Sequence, residues 1–210
     1  MTDLSDITTA LISGDGDKVC RLVQKALDQG APAADILNTG LIAGMDIVGE
    51  KMQSGDMFIP EVLMSAKTMN TAVEILKPFL SAEDMSSAGH IVIGTVKGDL
   101  HDIGKNLVSM MVESAGFKVT DLGVDVSPEA FVKAVQENKA DIVALSALLT
   151  TTMPMMQQTI HALVESGLRD KVKIIIGGAP VNQEFADRIG ADGYASDAGS
   201  ASRLAKQLQG

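Results

Sequence analysis

The hydrophobic positions of the first 80 or so residues recur at spacings of three and four, which is the period of an α-helix. Segments 14–16, 30 and 53–56, each with a glycine, interrupt the pattern. Pro32 can stand in the first turn of the helix that follows it. Four or five helices with short connections predict a small helical bundle over residues 1–85.

The period changes after residues 81–89, a small and polar segment that we interpret as a flexible linker. Short apolar runs then predict five strands, at residues 90–96, 118–122, 141–146, 172–176 and 193–195. Helical stretches lie between them, and one begins well at Ser127-Pro128-Glu129. This alternation predicts a flavodoxin-like, doubly wound parallel sheet of the Rossmann-like α/β class over residues 90–210.

Composition narrows the classes of partner. The 210 residues carry a net charge of -10, which disfavours nucleic acid and anionic membranes as partners. The single cysteine excludes an internal disulfide framework. No basic leader followed by an apolar run and no bilayer-length apolar stretch is present, so we expect a cytoplasmic protein. The dinucleotide fingerprint is absent after the first strand, which disfavours nicotinamide or FAD.

Candidate chemistry is concentrated where strands end. Asp99-x-His101 with Gly104 follows the first strand, Ser146-x-Leu148 the third, and Gly177-Gly178 the fourth. Ligands of such sheets bind outside the carboxyl ends of the strands, so these motifs predict one crevice. Asp99 is close enough to accept a hydrogen bond from the His101 imidazole and to fix its tautomer. Beside them, small and hydroxyl side chains would line the crevice: Ala179, Thr150 and Thr152.

Each motif is weak alone, since a loop histidine is usually solvated and a Gly-Gly pair is usually a turn. Together they carry a resemblance. Residues 96–106, VKGDLHDIGKN, resemble the cobalamin loop of the corrinoid methyltransferase proteins and of methionine synthase, and Ser-x-Leu and Gly-Gly follow in the expected order. Segments 44–50 and 57–62 resemble the helical cap that precedes this domain in those families. The matches span about residues 35–200.

The resemblance implies a role for each matching residue. His101 matches the lower axial cobalt ligand of cobalamin or a related corrinoid bound base-off, and Asp99 matches the acid that relays a proton with it. Thr152 stands where methionine synthase has a serine as third relay member. Further cofactor-binding positions are implied in the loop, along the slot for the cofactor's tail and in the cap: Gly98, Asp102, Ile103, Gly104; Ser146, Leu148, Thr150, Gly177, Gly178, Ala179, Ser196, Asp197, Ala198; Met52, Ile59, Val62.

The implied function is that of a carrier. A corrinoid protein of this kind accepts a methyl group on cobalt from a substrate-specific methyltransferase. It delivers the group to a second methyltransferase, whose acceptor is a thiol or tetrahydrofolate, and a reductive activase is a further implied partner. The helical half would cover the reactive face and move aside for each partner. The chain would therefore be a methyl-carrying subunit rather than a complete enzyme.

Three other readings stay open at this point. A cobalamin-dependent regulator or sensor would need a DNA-binding module, which an acidic chain with a cap-like bundle does not suggest. An adenosylcobalamin mutase subunit would share the sheet but normally lack the cap. A cofactor-free receiver domain would leave His101 and the glycines without a role. The sequence leaves open the methyl donor, the lower base of the corrinoid and the oligomeric state.

Overall fold

The structure, a computed structural model, describes residues 4–81 and 88–210. Its chain folds into two compact units that divide near residue 88. Most of the expected linker, residues 81–89, lies outside the described residues, so its flexibility stays a prediction. No helix in the two described ranges is long and apolar enough to cross a membrane.

The first unit consists of helices, as predicted. They are α1 (Ser5–Ile12), α2 (Gly16–Asp28), α3 (Ala33–Asp35), α4 (Ala43–Ser54) and α5 (Ile59–Leu76). A π-helical segment, Ile36–Ile42, connects α3 to α4, and a 3-10 turn, Lys77–Phe79, follows α5. Helix α2 packs against α5, and α1 packs against α2 and α4. The fully buried side chains include Leu11, Val19, Val23, Leu41 and Leu76.

Local chemistry explains where these helices begin and end. The Asp15 side chain accepts a hydrogen bond from the Lys18 backbone N–H at 3.0 Å and so caps α2. Gly55 ends α4 in the left-handed conformation, at φ 81°, which glycine adopts without steric cost. Pro32 lies immediately before the first residue of α3 rather than within its first turn. Breaks occur near residues 14–16, 30 and 53–56 as predicted, but α2 already begins at Gly16 and α4 continues to Ser54.

The π-helical segment was not predicted, because its causes lie in α1. The Thr8 Oγ1 hydroxyl donates to the Gly40 carbonyl oxygen at 2.9 Å. A Cβ atom added at Gly40 would lie 3.3 Å from Ile7, so α1 approaches this backbone closely. A helix departs from its regular hydrogen-bond pattern where a side-chain hydroxyl binds one of its carbonyl oxygens and where another helix packs closely against its backbone.

The second unit is the predicted α/β domain. Its strands are β1 (His90–Thr95), β2 (Lys118–Asp121), β3 (Ile142–Ser146), β4 (Lys173–Gly177) and β5 (Gly193–Ala195). Its helices are α6 (Ile103–Ser114), α7 (Pro128–Asn138), α8 (Met153–Glu165), α9 (Gln183–Ile189) and α10 (Ala198–Gln209), with a 3-10 turn at Arg169–Lys171. All strand pairs are parallel, in the order β2-β1-β3-β4-β5.

The strand order positions the site. Alternate β-strand side chains, such as Val92 and Ile174, pack against Phe131 of α7, Met156 of α8 and Phe185 of α9 in one buried cluster. Helix α10 lies against β4 and β5. Since the chain proceeds from β1 outward in both directions, the topological switch point lies between β1 and β3. Ligands of doubly wound sheets bind at this point, beyond the carboxyl ends of the strands.

Candidate functional site at the switch point

The loop between β1 and α6, residues 96–102, holds the candidate histidine and is fastened to neighbouring backbone. The Val96 N–H donates to the Ser146 carbonyl oxygen at 3.0 Å, which continues the pairing of β1 with β3 beyond the strand end. The Thr95 hydroxyl, fully buried, donates to the His101 carbonyl oxygen at 2.9 Å. The loop that carries His101 is therefore held at both of its ends.

One carboxylate lies at the centre of the site. Asp99 is fully buried, and its Oδ1 accepts hydrogen bonds from His101 Nδ1 at 2.7 Å and from the His101 backbone N–H at 3.1 Å. Its Oδ2 accepts from Thr152 Oγ1 at 2.7 Å and from the Leu148 backbone N–H at 2.8 Å. Asp99 thus connects the loop after β1 to the loop after β3, across the switch point.

The environment keeps Asp99 ionised. Burial disfavours the charged carboxylate, but hydrogen bonds from Thr152, from His101 and from the Leu148 backbone outweigh burial and hold the pKa of Asp99 well below its usual range. An ionised carboxylate can only accept hydrogen bonds. His101 Nδ1 therefore carries the proton of its bond to Asp99, and in the neutral tautomer with this proton the lone pair lies at Nε2. This is the tautomer in which a histidine can bind a metal through Nε2.

The surroundings of His101 fit a large apolar cofactor. The His101 side chain is 51% exposed even though Nδ1 is held by Asp99. Beside it, Leu100 and Ile103 are 71% and 82% exposed, and Leu148 and Leu149 from the facing loop are also exposed. A Cβ atom added at Gly104 would meet nothing within 4 Å. A half-exposed imidazole, with exposed apolar side chains on its own loop and on the loop after β3, would suit a cofactor that is largely apolar and contains a metal.

Comparison with known proteins decides the family. Two models, each described as a B12 binding domain, match residues 4–77 and 89–202. The chain is 46% identical to a corrinoid protein of Desulfitobacterium hafniense over 100% of this chain and 99% of that one. The chain belongs to the family of corrinoid proteins with B12-binding domains.

Further relatives of this corrinoid protein are named for a methylated amine and for a methanol methyltransferase complex. It is 46% identical to dimethylamine corrinoid protein 1 of Methanosarcina acetivorans, over 98% of this chain and 96% of that one. Its fold matches a chain in the methanol:cobalamin methyltransferase complex of Methanosarcina barkeri with a TM-score of 0.85 and 33% identity, over 98% of this chain and 79% of that chain.

The loop residues expected to contact the cofactor have distinct local roles. Gly98 has φ 82°, a left-handed conformation, and its N–H donates to Asp125 Oδ1 at 2.7 Å. The Asp102 carbonyl oxygen accepts from the Asn106 N–H at 2.7 Å, in the first turn of α6. Both residues therefore shape the loop through these hydrogen bonds.

The residues expected along the tail slot lie at the ends of β3 and β4. Ser146 is half-buried at the end of β3, and Thr150 is exposed in the loop that follows. A Cβ atom added at Gly178 would lie 1.8 Å from the Ala147 carbonyl oxygen, and one at Gly177 would lie 3.0 Å from that of Ala195. The glycines therefore allow close backbone packing at the ends of neighbouring strands and in the loops that follow them, a requirement of the fold itself. Ala179, which follows them, is exposed.

Asp197, expected at the far edge of the slot, caps helix α10. Its Oδ1 accepts from the Ser200 backbone N–H at 2.8 Å, and its Oδ2 accepts from the Ser196 hydroxyl at 2.8 Å. Burial raises the pKa of Asp197, but the Ser200 and Ser196 hydrogen bonds and the nearby Arg203 outweigh it, so the pKa is lowered overall. Ala198 is buried as the first residue of the helix.

The three expected cap residues belong to the helical unit. Met52, in α4, is partly buried, whereas Ile59, the first residue of α5, is 48% exposed. Val62, one turn further along α5, is fully buried. Of the three, Ile59 offers the most apolar side-chain surface to a ligand.

Two contributions to the site were not recognised in the sequence. In the sequence Thr95 is one position of an apolar strand, whereas the structure shows its buried hydroxyl in a specific hydrogen bond to the His101 carbonyl oxygen. Leu148 was expected in the tail slot, yet its backbone N–H, with that of Leu149 at 3.3 Å, donates to Asp99. Backbone donors of this kind have no signature in residue type.

Proposed function

We propose that this corrinoid protein carries a methyl group between two methyltransferases, one specific for the methyl donor and one for a thiol or tetrahydrofolate acceptor. The observation that carries the proposal is the buried Asp99 carboxylate, which holds Nδ1 of a half-exposed histidine at 2.7 Å at the switch point. The relatives named for dimethylamine and for a methanol methyltransferase complex support the choice of chemistry.

In this proposal His101 Nε2 would ligate the cobalt of a corrinoid bound base-off, and the corrinoid would supply the chemistry of methyl uptake and release. Asp99 would fix the tautomer and the orientation of the imidazole, as carboxylates behind metal-binding histidines do. Thr152 Oγ1 and the Leu148 N–H hold that carboxylate in place. Because Asp99 Oδ1 lies 2.7 Å from His101 Nδ1, the carboxylate would also hold a proton that it shares with the imidazole.

The remaining expected residues keep their proposed places. Gly98, Asp102, Ile103 and Gly104 would contact the ring from the loop, and residues at the ends of β3, β4 and β5 would line the slot for the tail. Met52 and Ile59, supported by the buried Val62, would cover the opposite face. We also propose that residues 1–85 form the cap and residues 90–210 the cobalamin-binding domain, which the division into two units near residue 88 supports.

Reconstitution with hydroxocobalamin tests the binding step. The apoprotein is incubated with hydroxocobalamin, desalted, and its visible spectrum and cobalt content are measured. We expect about one equivalent of corrinoid on the wild type, and a weakened or spectrally altered complex for His101→Ala. His161→Ala is the matched control, because His161 is exposed and faces the Glu165 carboxylate at 3.6 Å. If the His101→Ala and His161→Ala spectra both equal that of the wild type, His101 is not the ligand.

A reconstituted transfer reaction tests the carrier role. The reduced, corrinoid-loaded protein is mixed with a dimethylamine or other methylamine methyltransferase, an acceptor methyltransferase, the isotopically labelled amine and a thiol. A reductive activase, which we propose as a further partner, restores the reduced state when it is lost. We expect label in the thiol only when this chain is present. Equal transfer by the two methyltransferases without the chain would contradict the carrier role.

A further inference from the structure

Two residues in the left-handed conformation face each other beside the histidine loop. Gly98 has φ 82°, and Asp125, in the loop between β2 and α7, has φ 55°. The Gly98 N–H donates to Asp125 Oδ1 at 2.7 Å, and the Asp125 N–H donates to the Asp99 carbonyl oxygen at 3.0 Å. Asp125 is therefore hydrogen-bonded to two consecutive residues of the loop, to Gly98 through its side chain and to Asp99 through its backbone.

We propose that Asp125 is a positioning residue for His101. Asp125 fixes the backbone at Gly98 and Asp99 and thereby holds the imidazole in the position in which it would bind cobalt. The inference rests on the proposed role of His101 as the cobalt ligand. Asp125 itself need not touch the cofactor, since it acts through the loop.

The loop that carries Asp125 is well anchored, so it can serve as a support. The Leu122 N–H donates to the Ile93 carbonyl oxygen at 2.8 Å, and the Val126 N–H donates to the Thr95 carbonyl oxygen at 3.0 Å. In the opposite direction, the Thr95 N–H donates to the Gly123 carbonyl oxygen at 3.0 Å. These bonds extend the β1–β2 pairing past the strand ends and deliver Asp125 to the turn at Gly98.

The conformation of Asp125 indicates that its side chain is used. A left-handed backbone is unfavourable for residues with a Cβ atom, and glycine adopts it freely. Asp125 is exposed, so burial does not require a side chain there. An aspartate at this position, unlike a glycine, provides an acceptor for the Gly98 N–H. Gly98 needs such a contact because the backbone of a glycine is otherwise free to turn.

The Asp99 side chain is fixed from the other side. Thr152 and Leu148 hold its Oδ2, while Oδ1 holds His101. If the main chain at residues 98–99 turns, the carboxylate must either leave Thr152 or rotate the imidazole. The contacts of Asp125 with the Gly98 N–H and the Asp99 carbonyl oxygen support the middle of the loop without passing through the Asp99 carboxylate, as the Thr95 hydroxyl does at His101.

The test compares Asp125→Gly with Asp125→Asn. Glycine keeps the left-handed backbone and removes the acceptor, whereas asparagine tolerates φ above zero and keeps a carbonyl acceptor. Lys139→Gly is the matched control, because Lys139 is the other non-glycine residue with positive φ in the described part of the chain, at 50°, and ends α7 away from the loop.

Two readouts are used: amide hydrogen exchange at Gly98 in the apoprotein, and the visible spectrum of bound hydroxocobalamin beside that of His101→Ala. For Asp125→Gly we expect exchange at Gly98 to rise about tenfold, as for loss of a hydrogen bond to a charged group, with a smaller histidine-ligated fraction. Asp125→Asn and Lys139→Gly should resemble the wild type in both.

The outcomes separate the two claims. If His101→Ala changes the spectrum but Asp125→Gly gives the wild-type spectrum, Asp125 serves loop stability alone and the positioning role is wrong. The positioning role is also wrong if Asp125→Asn loses histidine ligation as fully as Asp125→Gly does, because asparagine keeps an acceptor for the Gly98 N–H. If His101→Ala leaves the spectrum unchanged, the proposed ligand is wrong, and the inference drawn from it is wrong as well.

Discussion

Replacing Thr152 with valine removes a single hydroxyl from the buried carboxylate and preserves side-chain shape. The lost bond, Thr152 Oγ1 to Asp99 Oδ2 at 2.7 Å, has an ionised acceptor with no exposure to solvent. Hydrogen bonds to charged groups contribute about 1.5–3 kcal/mol. The Leu148 and Leu149 N–H groups still donate to the same oxygen, at 2.8 and 3.3 Å. We therefore expect Thr152→Val to lower the free energy of unfolding by about 2 kcal/mol at neutral pH.

The loss of stability caused by Thr152→Val should be larger at neutral pH than in acid. Because the pKa of Asp99 is lower in the folded than in the unfolded protein, its ionised form favours the folded state. This stabilisation is present in full above about pH 5 and is lost as the pH falls through the unfolded value of about 3.9 toward the lower folded value. The difference between wild type and Thr152→Val should therefore shrink toward about 1 kcal/mol, the value of a neutral hydrogen bond, in acid.

Urea unfolding of the apoprotein followed by tyrosine fluorescence measures this difference. The protein has one tyrosine and no tryptophan, and Tyr194 lies in β5, so the signal reports the α/β unit. Thr159→Val is the matched control, since the fully buried Thr159 donates only to the Met155 carbonyl oxygen of the same helix, at 2.8 Å. A pH-independent difference, or one equal to that of Thr159→Val at neutral pH, would refute the assigned environment of Asp99.

Two further predictions concern stability alone. Gly178→Ala should lower the free energy of unfolding by about 3–5 kcal/mol, because Gly178 has φ 132° and a Cβ atom there would lie 1.8 Å from the Ala147 carbonyl oxygen. Gly104→Ala, the control, should leave the melting temperature equal or higher. Equal melting temperatures for the two variants would contradict this prediction. Asp121→Asn should destabilise the protein more than Lys105→Met does. Asp121→Asn leaves the Lys105 ammonium, whose side chain is 2% exposed, without its carboxylate, whereas Lys105→Met leaves the Asp121 carboxylate, which is 37% exposed and can be solvated. Urea midpoints in the reverse order would contradict this prediction.

Most of the fold could be predicted because it follows from periodicity. The apolar run that begins at His90 is a buried strand, and Ser127-Pro128-Glu129 starts α7 with Ser127 as its cap, at 3.3 Å from the Ala130 N–H. These features depend on neighbouring residues. The π-helical segment at Ile36–Ile42 depends on Thr8, about thirty positions away, and local pattern holds no information about such a contact.

The site divides in the same way. Asp99 and His101 are two residues apart, so their contact could be expected from spacing. The contact of Asp99 with Thr152 came from the resemblance, since the fold alone brings these residues together. Asp125 has no sequence signal, because its left-handed backbone appears only once the loop after β2 is built.

The most direct test of the account is electron paramagnetic resonance of the cobalt(II) form of the reconstituted protein, prepared once with natural nitrogen and once with every histidine labelled with ¹⁵N. An axial nitrogen splits the cobalt lines into triplets when it is ¹⁴N and into doublets when it is ¹⁵N. We predict triplets for the unlabelled protein and doublets for the labelled one, with the doublets lost in His101→Ala. Triplets that persist in the labelled protein would show that the nitrogen belongs to the cofactor's own base, and would contradict ligation by His101.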